Sequence, residues 1–221
     1  MKREKIICDN SRLELFSAFE LLSFVKYYFC TMTKNIAIFA SGEGTNAQNM
    51  MDHFKSSDLI KIALIVSNKP AANVLNRAKA NNVPTLILDK KTFFESNTFV
   101  DYFKDLKIDL IVLAGFLWMI PENLINAFPD KIVNIHPSLL PKYGGKGMYG
   151  MKVHEAVIAA KEKQSGISIH FVNEKYDEGK IIEQHTCFIS ENDSAEILAQ
   201  KIHQLEQDHF PKAIEKLLQV K

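Results

Sequence analysis

Residues 35–47 read N35-I-A-I-F-A-S-G-E-G-T-N-A47. An apolar run stops at Ser41, two glycines turn the chain, and a helix is expected over Gln48–Phe54. Strand, glycine turn and helix open a unit in which successive strands lie parallel. The alternation continues: strands at 60–66, 83–88, 108–114 and 131–136, with helices expected at 71–81, 92–106 and 121–128. Pro121 opens the last of these, where a missing N–H costs nothing. Each strand is apolar throughout rather than at every second residue, the pattern of a parallel sheet covered on both faces. With right-handed crossovers this is a doubly wound, Rossmann-like α/β fold.

Beyond Gly147 the pattern changes. A helix over 151–163 precedes two strands, 166–172 and 180–189, close enough to pair as an antiparallel ribbon. Asp193 or Ser194 caps a long final helix reaching about Val220, which Pro211 is expected to kink or break. Residues 34–221 therefore read as one domain. Residues 1–33 stand apart as an N-terminal extension. Glu14, Glu20 and Lys26 interrupt the apolar run there, which argues against a secretory signal. Its spacing suits a short amphipathic helix, and Met32, directly before T-K-N-I-A, equally suits the true start of the chain.

Bulk properties exclude several classes. Among 221 residues, 47% are hydrophobic and 24% charged, and the net charge is +1. Such a balance supplies no field for nucleic acid or an anionic membrane, and no run is long enough to span a bilayer. The three cysteines are scattered, as in a reducing compartment. Nothing chooses between a monomer and a homodimer.

G42-E-G-T-N-A47 fits the glycine pattern of a dinucleotide site. That site needs an acidic residue about twenty positions on, at the end of the second strand, where V66-S-N-K has none. What survives is a helix N-terminus at Gly44, Thr45 and Asn46, a seat for one phosphate. A tight turn with no ligand is the other reading.

K131-I-V-N-I-H-P-S-L-L-P-K-Y-G-G-K-G147 ends a strand on an amide and an imidazole two residues apart, hence on one face. In a doubly wound sheet, ligands bind beyond the carboxyl ends of the strands. Asn134 and a protonated His136 can each donate to an oxygen gaining negative charge, as acyl transfer requires. A core histidine beside a turn asparagine fits the spacing too.

N134-I-H-P-S-L-L-P-K-Y, with S41-G-E-G-T-N, L113-A-G-F and Y176-D-E-G, resembles the signature of the folate-dependent formyltransferases, from about Lys34 onward. Within that family the set is most similar to the branch whose acceptor is glycinamide ribonucleotide in purine biosynthesis. The resemblance implies a cytoplasmic enzyme using 10-formyltetrahydrofolate as cosubstrate and no metal. Consistent with the latter, H154-E-A-V-I lacks the second histidine of a zinc motif. Asn134 and His136 would bind the formyl oxygen, His136 as a cation kept protonated by Asp177. Gly44, Thr45 and Asn46 would take the nucleotide phosphate, and Glu206 the ribose hydroxyls. Leu117, Trp118, Met119 and Ile120, together with Asn134, would hold the folate. Without the family, Y-D-E-G is an ordinary turn.

Two features depart from the pattern. Trp118 stands where many relatives carry arginine, and the loop G144-G-K-G-M-Y-G-M is longer than in shorter bacterial forms. Rivals within the superfamily are hydrolysis of the same folate and formylation of initiator methionyl-tRNA. The first goes with a regulatory domain of roughly a hundred residues ahead of the catalytic one, the second with an appended nucleic-acid-binding domain. Neither has a counterpart here, so transfer to the ribonucleotide is the expectation. From a different class, a silent nucleotide- or folate-binding module also fits.

Overall fold

The computed structural model describes residues 33–219, and the chain from Lys34 onward forms one compact unit. The two readings of the leading segment lie outside the described residues. In chain order the elements are β1 (Lys34–Phe39), α1 (Thr45–Phe54), β2 (Ile60–Ser67), α2 (Asn73–Ala80), β3 (Thr85–Ile87), α3 (Lys90–Glu95), α4 (Thr98–Asp105) and β4 (Ile108–Leu113). There follow α5 (Glu122–Ala127), β5 (Ile132–His136), α6 (Met151–Ala159), β6 (Gln164–Phe171), β7 (Ile181–Phe188) and α7 (Ala195–Gln219).

The strands form a seven-stranded sheet in the order β3-β2-β1-β4-β5-β6-β7. Strands β1 to β5 pair in parallel, while β6 and β7 are antiparallel to their neighbours. The chain winds outward from β1 to β3, then returns to lay β4 on the other side of β1. That reversal opens a crevice at the carboxyl ends of β1 and β4.

The continuous apolar strands are buried on two sides. Ile36 and Ile38 of β1 face a core shared with Met50 and Phe54 of α1 and with Ile202, Phe210 and Ile214 of α7. Their neighbours Ala37 and Phe39 face a second core with Phe93, Phe103 and Leu124. Period-2 alternation of side chains makes every position apolar once both faces are covered.

Two local expectations need correction. The segment read as one helix over 92–106 is two, because Ser96 is extended. Asn123 of α5 holds the break, donating from Nδ2 to Ser96 O and to Asn97 Oδ1, both at 2.9 Å. Pro121 stands at the start of α5 as expected, in its cap position, with its carbonyl accepting from Ile125 N at 3.1 Å. Finally, α7 runs through Pro211 without a break. Phe210, Ala213 and Ile214 around it are buried, and that apolar packing outweighs the roughly 3 kcal/mol that an interior proline costs. The Ser194 cap is present, with Ile197 N donating to Ser194 Oγ at 3.3 Å.

Candidate active site

Strand β5 places Asn134 and His136 on one face, and β6 runs beside it with Asn134 opposite His170 and His136 opposite Ser168. The turn after β6 adds Asp177, held at φ 55, a left-handed conformation that aspartate tolerates. Gly179 in the same turn has no alternative: a Cβ there would sit 1.7 Å from Phe171 O. The four side chains interlock. Asn134 Nδ2 lies 3.1 Å from His170 Nε2 and donates to Asp177 Oδ1 at 3.5 Å. His136 Nδ1 faces Asp177 Oδ2 at 3.5 Å. His170 Nδ1 lies 2.9 Å from the Phe171 carbonyl oxygen, and its Nε2 sits between the Asn134 amide and Asp177 Oδ1, 3.7 Å from the latter.

The glycine-rich loop closes the cluster from the other side. Tyr143 O accepts from His136 Nε2 at 2.8 Å, and Gly145 N donates to Asp177 Oδ2 at 2.9 Å. Behind the strand, buried Ser168 donates to Ser138 O at 2.6 Å and accepts from Leu140 N at 2.9 Å. That brace fixes the P-S-L-L-P turn, and with it the aim of His136.

Asp177 lies against His136 as expected, and burial opposes the charged ring. His136 is 4% exposed, and burial pushes its imidazole below the ordinary value. Asp177 and the Tyr143 carbonyl pull it upward without cancelling the effect. Both nitrogens face oxygen acceptors, so a proton arriving at Nδ1 is met by a partner already in place. Burial also raises the Asp177 carboxyl. His170, His136 and the Gly145 N–H together overcome that and hold it below the usual carboxylate range.

At the other end of the crevice, Gly44 joins β1 to α1 at φ 71. A Cβ at Gly44 would come within 2.5 Å of Val74, so both backbone and space require glycine. No side chain caps α1, which leaves its first N–H groups directed out of the helix. The Asn46 backbone N–H stays with that set, while its side chain turns to α7. Its Oδ1 accepts from Gln207 Nε2 at 2.8 Å and its Nδ2 donates to Glu206 Oε2 at 2.9 Å. Glu206 also meets His203 Nδ1 at 3.5 Å.

Between the two ends runs the segment after β4. Leu117 N is committed to Ser41 Oγ at 2.9 Å, so that N–H is not free for a ligand. Trp118 packs on Phe93 and Phe94, with ring centroids 5.9 and 5.7 Å away. The pocket edge there is aromatic, where an arginine would have been a charge. All the residues singled out from the sequence, from Gly44 to Glu206, line one cavity of about 610 Å³, a size suited to a cofactor-sized ligand.

The sequence reading missed His154, His170 and His203, which line the same cavity. Only His203 carried a usable signal, standing three residues before Glu206 on one helical face. His170 reaches the site through strand pairing, which its local sequence does not announce. His154 is 6% exposed, and its Nδ1 is the buried side-chain polar atom without a partner among the described residues. Burial, opposed by Glu206 and aided by His136, pushes its imidazole below the ordinary value.

Known proteins bear on this geometry. The formyl transferase family model matches residues 34–214. A chloroplastic phosphoribosylglycinamide formyltransferase of Arabidopsis thaliana is 38% identical over 80% of this chain, which spans 62% of that relative's length. The Bacillus subtilis phosphoribosylglycinamide formyltransferase is 35% identical over 84% of this chain and 95% of its own. The crystal structure of phosphoribosylglycinamide formyltransferase from Bacillus halodurans superposes with a TM-score of 0.75 at 38% identity, covering 84% of this chain and 95% of that one. With a parallel sheet reversing at β1 and β4 and a carboxamide–imidazole–carboxylate cluster at its mouth, the chain belongs to the formyl transferase family.

Proposed function

We propose that this chain moves the formyl group of 10-formyltetrahydrofolate to the primary amine of glycinamide ribonucleotide. The observation that carries the reading is one cavity joining the Asn134–His136–Asp177 cluster to the uncapped start of α1. A formyl-folate supplies a carbonyl already activated on nitrogen, and a ribonucleotide supplies an amine tethered to a phosphate. A cavity bordering both features supports the reading.

The N–H groups at Thr45 and beyond receive the phosphate, favoured by the positive end of the helix dipole. Thr45, exposed at that start, adds a hydroxyl. Glu206 accepts from the ribose hydroxyls and His203 stands beside it. Ile120, Leu117 and Trp118 offer apolar surface to a flat ring, and Met119 with the backbone of this stretch borders it. Held so, the amine and the formyl carbon meet near β5, and positioning alone lowers the barrier.

As the amine adds, a carbon–nitrogen bond forms and the formyl oxygen takes on charge. The Asn134 amide, leaving its long 3.5 Å contact with Asp177, and His136 Nε2–H, exchanging the Tyr143 carbonyl for the formyl oxygen, donate to it. The attacking nitrogen sheds a proton, which the Nδ1 side of His136 accepts and Asp177 stabilises. The bond from formyl carbon to the folate nitrogen then breaks, and that nitrogen leaves with the proton. His136 thus becomes a cation during the reaction and returns to neutral after it.

The test supplies formyl-folate with and without glycinamide ribonucleotide and follows release of the free folate. Release that depends on the nucleotide is expected. Release without it makes the chain a hydrolase, and no release under either condition makes it a binding module.

A further inference from the structure

Pro211 lies buried inside α7 and withdraws one backbone N–H from the helix. The carbonyl thereby left without its helical donor is that of Gln207, four residues back. Asn49 of α1 fills the place, its Nδ2 donating to Gln207 O at 2.8 Å. On the same contact, Gln207 Nε2 donates to Asn46 Oδ1 at 2.8 Å, and Asn46 Nδ2 donates to Glu206 Oε2 at 2.9 Å. Three hydrogen bonds in a row thus run from the proline-opened carbonyl to the carboxylate that lines the nucleotide end of the cleft.

We propose that this carbonyl is a docking point setting the register of α7 on α1, and that Asn49, Asn46 and Gln207 are positioning residues aiming Glu206 into the cleft. The apolar contacts of α7 through Ile202, Phe210 and Ile214 choose which face is buried, but being non-directional they do not aim the polar side chains at its edge. A freed carbonyl does, because only one rotation of the helix presents it to Asn49. A slip of one residue turns it away by about 100° and leaves it unpaired in a half-buried seam. A proline that ought to weaken the helix instead creates the acceptor that holds the helix in place. The inference rests on the assignment of Glu206 to the ribose.

The experiment uses the full chain carrying Asn49→Ala, Pro211→Ala, both together, or Glu206→Gln. Steady-state rates are measured with glycinamide ribonucleotide and 10-formyltetrahydrofolate varied separately. Asn49→Ala is expected to raise KM for the nucleotide about fivefold, the scale of one lost hydrogen bond. KM for the folate and kcat should stay within about twofold. Pro211→Ala returns an N–H to Gln207 O, so in that background Asn49→Ala should lose most of its effect. An effect of equal size in both backgrounds overturns the proposal. So does an unchanged nucleotide KM for Asn49→Ala beside a raised one for Glu206→Gln. If Glu206→Gln itself leaves nucleotide KM untouched, the ribose assignment fails and takes this inference with it. A purely structural Asn49 would lower the unfolding midpoint without separating the two KM values. Should Asn49→Ala not fold, Asn49→Ser, too short to reach the carbonyl, is read in both backgrounds with the same outcomes.

Discussion

At one end of the cleft, an uncapped helix start at Thr45 offers backbone N–H groups from an exposed turn. At the other, His136 and His170, 4% and 2% exposed, meet Asp177 in a network that satisfies itself. The first end works mainly through main-chain geometry, which does not titrate, with the Glu206–His203 pair beside it. The second works through titratable groups in a low-dielectric setting, where losing one partner strands the rest. Binding on this scaffold is therefore the robust property and chemistry the brittle one. A substitution at either end should reveal which property that end serves.

The largest expected effect is at the brittle end. His136→Ala or Asp177→Asn should lower kcat by on the order of a hundredfold or more with modest change in either KM, as for loss of an oxyanion donor or proton acceptor. Near-normal turnover in a folded variant would remove the cluster from the mechanism. Next comes Glu206→Gln, which should raise KM for the nucleotide about tenfold, as for one charge-assisted hydrogen bond, and leave kcat nearly intact. If kcat falls in step instead, the two ends do not divide the work as described.

Gly44→Ala tests the claim that the binding end is main-chain geometry. A methyl group there meets Val74 at a φ of 71, so stability should drop by about 1–3 kcal/mol in urea unfolding, with weaker nucleotide binding. The smallest effect concerns pH. His136 and His154 are held below the ordinary imidazole value of 6.5 in the folded chain, so between their folded and unfolded values the unfolded chain binds more protons. Their contribution is thus fully present above pH 6.5 and is lost as pH falls below it. The thermal midpoint should decline on acidification from pH 7 to 5, and His154→Leu should flatten that decline. An identical slope would show that His154 is not one of the groups responsible.

Much of this molecule was legible before any coordinates. The runs at Ile36–Phe39 and Leu110–Leu113 are apolar at every position because two cores claim alternate residues, and that pattern alone implies a covered parallel sheet. The pairing of Asn134 with His136 on one face follows from the period of a strand. The split at Ser96 was not legible, because its cause is Asn123, a residue on another helix. Nor was the tolerance of Pro211, whose lost donor is replaced from α1. His170 meets Asn134 through strand pairing and the Tyr143 carbonyl meets His136 through loop closure, neither of which leaves a local mark.

By itself, then, the amino-acid order determined the alternation of elements, the sheet type and the residues able to do chemistry. These depend on periodicity and on intrinsic side-chain properties, which are short-range. Only the tertiary structure decided how burial and Asp177 compete at His136, that the Asn46 side chain is tied to Glu206, and which carbonyl receives Asn49. Burial, field and hydrogen-bond partners are set by groups distant along the chain, and they come into existence only when it folds.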